Sequence, residues 1–259
     1  MSDAFAEQVG QLARRSVVRT ARQPANVVFP LVFPLLLLSV NSTGLQSATQ
    51  LPGFPTDSYF AFALAVPFMQ GALFATMNAG TDLARDIQTG FLNRLALTPM
   101  RGVALLSGQL GGVMAMTAVQ AAVWIATGLI FGVHFAAGVG GIAVLFVFSL
   151  LIGLGFGALG AFLALRTASP EPVQGMFPVF FVFLFISSMA MPRNLIEIDW
   201  FQTAATLNPV SYLIEAIRSL IIIGWDPEAL ALGFGVAILI AVVALSLASL
   251  SLRTRLTRS

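Results

Sequence analysis

The 259-residue chain is 58% hydrophobic and only 9% charged, whereas a soluble domain carries about a quarter charged residues, which excludes an ordinary water-soluble globule. All 13 basic residues are arginine, and there is no cysteine, so disulfides and thiolate metal sites are excluded. The absence of lysine also excludes a Walker A loop in this chain, because that loop needs a Lys after its last glycine to reach the phosphates.

Residues 4–22 are moderately apolar and hold four arginines. Phe5, Val9, Leu12, Val17 and Val18 are available for one side, so a helix lying in the membrane surface is expected. This stretch lacks a compact apolar core followed by a small-residue cleavage site, and does not resemble a removable signal peptide.

Spanning a hydrocarbon core of about 30 Å takes roughly 20 helical residues. Apolar runs of that order are predicted at 26–44, 58–81, 102–132, 139–165, 173–191 and 229–252. They are apolar all round and do not alternate with period two, which selects helices over a β-barrel. The expected fold is all-α integral membrane, with six transmembrane helices.

Short cytoplasmic flanks are enriched in Lys and Arg. With the N-terminus inside, Arg14, Arg15, Arg19, Arg22, Arg85, Arg94, Arg101, Arg166, Arg253, Arg255 and Arg258 are cytoplasmic, and only Arg193 and Arg218 lie outside. An odd span count would break this bias, so both termini are expected in the cytoplasm. The arginines are expected to face lipid headgroups and a partner, not nucleic acid.

The outer connection, 191–228, is too apolar for a plain loop. Trp200, Phe201, Tyr212, Leu213, Ile214 and residues 220–223 call for burial, and short re-entrant helices are expected there. One should start with Asn208 as its cap and Pro209 in the first turn. Glu215 and Arg218, three residues apart, read as an exposed surface pair of little energetic weight.

No Asp, Glu or Arg falls inside the six predicted spans. Carriers coupled to protons or sodium keep ionisable groups near the midplane to bind the coupling ion, so secondary transport is disfavoured. His134 is the only histidine and is far in sequence from any carboxylate, which suits a structural or headgroup role better than catalysis. Energy for uphill transport must then arrive from another polypeptide.

Between the second and third spans lies TDLARDIQTGFLNRLALTPMRG, residues 81–102. Leu83, Ile87, Phe91 and Leu95 recur every four residues, and Gly90 interrupts the run, so the second span should continue inward and break near Thr89-Gly90. A short amphipathic helix from Phe91 would end at Thr98-Pro99, since the residue before Pro is biased away from helix. Such a helix suits either a lever for a soluble partner or a loop that merely positions the third span.

The segment RDIQTGFLNRLALTP resembles the cytoplasmic loop of ABC-2 type exporter permeases, at Asp86, Gly90, Leu92, Leu95, Thr98 and Pro99. Ser169-Pro170-Glu171 leading to Gln174, and NPVSYLIEAIRSLI at 208–221, are similar to two further stretches of that family in the same order. The family often has Glu where Asp86 stands and a second acid where Asn93 stands.

The resemblance implies an ABC-2, type V exporter-like permease. It would pair with a second copy or a sister permease and with a separate ABC ATPase subunit that holds the ATP and Mg, and would bind no cofactor itself. The ATPase contact falls on Asp86, Gly90, Phe91, Leu92, Asn93, Arg94 and Leu95, with Arg14, Arg15 and Arg166 as further candidates. The resemblance also implies a bacterial inner-membrane location.

Gln70, Asn78, Gln109 and Gln120 are polar groups within otherwise apolar spans. They suit either a translocation path or hydrogen bonds between helices. Gly153, Gly155, Gly157 and Gly160 of the fourth span would allow close helix approach. With 22 phenylalanines and nine methionines and no fixed charge in the spans, a hydrophobic drug or lipid is the expected cargo. A polysaccharide or lipid-linked glycan exporter, and a passive channel or assembly factor without ATP coupling, are the alternatives.

Overall fold

The computed structural model describes residues 2–91, 94 and 102–256. The fold is all-helical. Five helical stretches are long and apolar enough to cross a membrane: Asn26–Gly44, Tyr59–Gln88, Ala104–Ile130, Gly138–Thr167 and Pro227–Arg255.

Helix α1, Ser2–Ala21, packs along α5, Gly102–Ile130. Leu12, Ala13 and Ser16 meet Gly108, Gly111 and Gly112 of α5, while Val17 and Val18 of the expected apolar side are exposed. A Cβ at Gly112 would lie 2.0 Å from Ser16 Oγ, so small residues on both helices allow near backbone contact. That approach turns the valines outward.

Helix α2, Pro24–Gly44, starts with Pro in its first turn. After it come α3, Tyr59–Ala63, capped by the Ser58 side chain, and α4, Ala65–Gln88. Pro67 has no N–H to give the carbonyl four residues back, which accounts for the break at Leu64. Helix α4 is the axle of the bundle, touching α2, α5, α6 and α7.

Helix α6, Gly138–Thr167, spreads its four expected glycines over three neighbours. Gly153 and Gly157 face Thr117 and Val113 of α5, Gly160 faces the Thr76 carbonyl of α4, and Gly155 faces Ala241. Thr76 Oγ1 adds a hydrogen bond to the Phe156 carbonyl at 2.9 Å.

The fifth predicted span is shorter than expected. Helix α7 runs only Pro170–Phe185, about 24 Å at 1.5 Å per residue. Asn208 Nδ2 donates to the carbonyls of Phe183 and Ile186, so the end of α7 is satisfied by a side chain instead of another turn.

The outer segment forms α8, Asp199–Leu207, and α9, Pro209–Arg218, which bend through 81° and continue to Ile223 as a possible sixth, broken span. Asn208 caps α9 as predicted, accepting from Val210 N at 2.9 Å. Leu213, Ile214, Leu220 and Ile221 are buried, but Trp200 and Ile223 are exposed, contrary to expectation. An indole with one wet end suits a membrane–water boundary. Helix α10, Pro227–Leu256, closes the bundle.

Candidate functional site

The end of α4 carries the charged residues Asp82, Arg85 and Asp86. Leu83 and Ile87 are buried on one face, and Arg85 is exposed on the other. Asp82 and Asp86 are only 8% and 7% exposed, which demands partners, because a buried carboxylate is costly alone.

Helix α1 supplies them. Arg15 spans both oxygens of Asp86 at 3.3 and 3.2 Å. Arg19 donates to Asp86 Oδ1 at 2.9 Å and reaches Asp82 Oδ1 at 3.1 Å. The Arg15 guanidinium also lies 3.8 Å from the centre of the Phe91 ring, a cation–π contact.

The chain turns where the glycine predicts. Thr89 N bonds back to the Arg85 carbonyl and Gly90 N to that of Ile87, and Gly90 adopts φ +69°, the left-handed cap that glycine takes at least cost. Arg94 N then bonds to the Gly90 carbonyl at 3.1 Å, opening a new helical turn. Asp86 is thus committed to α1, Phe91 is half-buried under Arg15, and Arg94 is exposed. Leu92, Asn93, Leu95, Thr98 and Pro99 lie outside the described residues. Arg14 and Arg166 are exposed, Arg14 beside this cluster and Arg166 at the end of α6.

The four polar residues proposed for a path divide into two groups. Gln70 and Gln120 are 2% and 1% exposed. They lie on facing parts of α4 and α5, where Gln120 and Trp124 pack against Gly71. Gln70 Oε1, Gln120 Nε2 and Trp124 Nε1 meet no protein partner among the described residues. Asn78 and Gln109 instead line a cavity of about 20 Å³ with Asp82 and Ser16. A path lined by Gln70 and Gln120 would have to run within the bundle.

Two features escaped the sequence. Phe29 and Phe33 of α2, Phe74 of α4, and Phe177, Phe181 and Phe185 of α7 form a continuous aromatic cluster, with successive ring centres 4.6–6.3 Å apart. Phe spacing of four on α2 and α7 was its only signal.

The second is Arg218, read above as half of a surface pair. It is 4% exposed, and its Nε, Nη1 and Nη2 donate to the carbonyls of Phe62, Ser188 and Met189 at 3.0–3.2 Å. Glu215 pairs instead with Arg193, at 2.7 and 2.6 Å. Burial works against the Arg193 charge, but the facing carboxylate outweighs it and raises the pKa. Sequence spacing shows only which residues share a helix face, not what stands across from it.

A multi-pass bundle of long apolar helices defines an integral membrane protein. The chain belongs to the ABC-2 type transporter family, which it matches over residues 7–222. It is 29% identical over 200 residues to the daunorubicin resistance ABC transporter permease protein DrrB1 of Streptomyces coeruleorubidus, covering 75% of this chain and 66% of that protein. This chain therefore spans just under two thirds of that relative. It is 25% identical to the probable doxorubicin resistance ABC transporter permease protein DrrC of Mycobacterium tuberculosis, covering 83% and 76% of the two chains. The putative transport permease ycf38 of Cyanophora paradoxa is 24% identical, with coverage of 83% and 74%.

Proposed function

We propose that this permease exports a hydrophobic or amphipathic molecule, a drug or lipid, driven by a separate ATPase subunit that docks on the α4 end and the turn after Gly90. The observation that carries the reading is the anchored turn. Asp86 and Phe91 hold the base of the turn to α1 through Arg15, so a push on residues 90–95 is delivered to both α1 and the axle helix α4. Packed helices transmit such a push because interiors are dense and resist compression.

An apolar cargo fits the aromatic surface shared by α2 and α7, where Phe29, Val182 and Phe185 are exposed. A second copy, or a sister permease, facing that surface would enclose a path between two subunits. The names of the drug-resistance relatives agree with such a cargo. The arginine distribution supports both ends on the ATPase side, and a bacterial inner membrane as the location.

The test is co-purification and transport with the cognate ATPase. Phe91→Glu with Leu95→Glu should abolish ATPase capture and transport while the permease remains in the membrane. Intact capture and transport would refute the docking assignment. Transport that persists with a catalytically dead ATPase would instead favour a passive channel.

A further inference from the structure

We propose that the elbow between α1 and α2 is a binding site for one anionic diacyl phospholipid from the surrounding leaflet. Two features carry this. The first is an apolar groove of about 330 Å³ between α1, α2 and α5, lined by Val17, Val27, Val28, Met116 and Val119. From Gly112 to Val119 it follows α5 for about 10 Å at 1.5 Å per residue. Val17, Val28 and Val119 are left exposed along it.

The second is a shallow polar basin formed by Arg14, Arg15, Arg19, Arg22 and Gln23. Val17 and Pro24 of the groove are chain neighbours of Val18 and Gln23 of the basin, so both features sit at the elbow between α1 and α2. Arg15 and Arg19 are neutralised by Asp86 and Asp82. Arg14 and Arg22 are exposed and form no ion pair among the described residues.

The basin therefore offers two guanidinium groups that form no ion pair among the described residues, which suit the oxygens of a phosphate, at the same elbow as a groove that suits an acyl chain. Charge selects the occupant: a zwitterionic lipid gains less from the pair, and an apolar membrane helix would leave the arginines unanswered. Bound there, the lipid joins α1 to α2 and α5 beside the Asp86 latch.

Native mass spectrometry of the full permease, released from detergent with palmitoyl-oleoyl phosphatidylglycerol or phosphatidylcholine, tests this. Phosphatidylglycerol should be retained preferentially. Arg14→Gln and Arg22→Gln should each weaken its retention about fivefold, as expected for a basic residue near an anionic headgroup. Arg166→Gln, at the end of α6 and outside both the groove and the basin, should leave retention of either lipid unchanged. Val119→Trp, which fills the groove, should lower retention of both lipids.

Equal retention of the two lipids, or equal loss with Arg166→Gln, would overturn the site. So would a Val119→Trp chain that keeps its lipid but loses its dimer, since the groove would then cover a second copy. Weakened ATPase capture by the Arg14 and Arg22 variants with lipid retention unchanged would assign the basin to the ATPase instead. None of these lipid readouts depends on ATP coupling, so the site and the proposed function fail separately.

Discussion

Arg218 uses three of its nitrogens on three carbonyls that belong to α3 and to the turn after α7. Its guanidinium also stacks 3.5 Å from the centre of the Phe62 ring. Lysine is a point charge without the planar fork, so Arg218→Lys should leave at least one buried carbonyl unpaired and destabilise the outer segment by about 1–3 kcal/mol. A thermal melt of the purified permease reads this, and an unchanged midpoint would refute it. At the other end, Asp86 meets two arginines and Asp82 one. Asp86→Asn should therefore lower the melting temperature more than Asp82→Asn, with a cost of about 1–3 kcal/mol for the cations left facing a neutral group. Equal shifts would mean that Arg15 contributes nothing, as its greater exposure would allow.

Helices in lipid gain nothing from the hydrophobic effect on meeting each other, so fit between them decides their association. Helix α6 shows this at Gly160, where an added Cβ would lie 2.0 Å from the Thr76 carbonyl oxygen. Gly160→Ala should force α4 and α6 apart and cost about 1–3 kcal/mol. Gly235→Ala on α10, where no atom lies within 4 Å, should be tolerated, and expression with detergent melting distinguishes the two. Gly90 is a different case: space is open around it but φ is +69°. Gly90→Ala should cost about 1–2 kcal/mol of local backbone strain, seen as weaker ATPase capture at little cost to the melting temperature of the bundle. The α6 glycines and the break at Gly90 were legible because a missing side chain has few alternative uses inside an apolar helix. The docking of α1 on α5 was not, because nothing in the spacing of Leu12, Ala13 and Ser16 names Gly108, Gly111 and Gly112 as their partners.

The whole molecule is two ends joined by an apolar bundle: a latch of α1 on α4 at one end, and a bent helix pair pinned by Arg218 and Asn208 at the other. The absence of cysteine makes orientation directly measurable. Thr89→Cys, at the exposed end of α4, and Thr206→Cys, at the exposed end of α8, should react with a membrane-impermeant thiol reagent from opposite sides. In intact cells only Thr206→Cys should label, and labelling of Thr89→Cys would reverse the proposed orientation.

Class, helix number to within one, and the position of the turn at Gly90 were determined by the amino-acid sequence. Each depends on a local quantity: apolar length against bilayer thickness, the φ freedom of one glycine, and the placement of arginine. The tertiary structure alone decided that Asp86 is sealed under Arg15 and Arg19, and that α7 stops at Phe185 because Asn208 takes its carbonyls. It alone turned Arg218 from an exposed partner of Glu215 into a buried donor to three distant carbonyls. Those outcomes depend on which residues lie opposite one another across 22 to 156 positions of chain, and helical periodicity carries no information about partners at that separation.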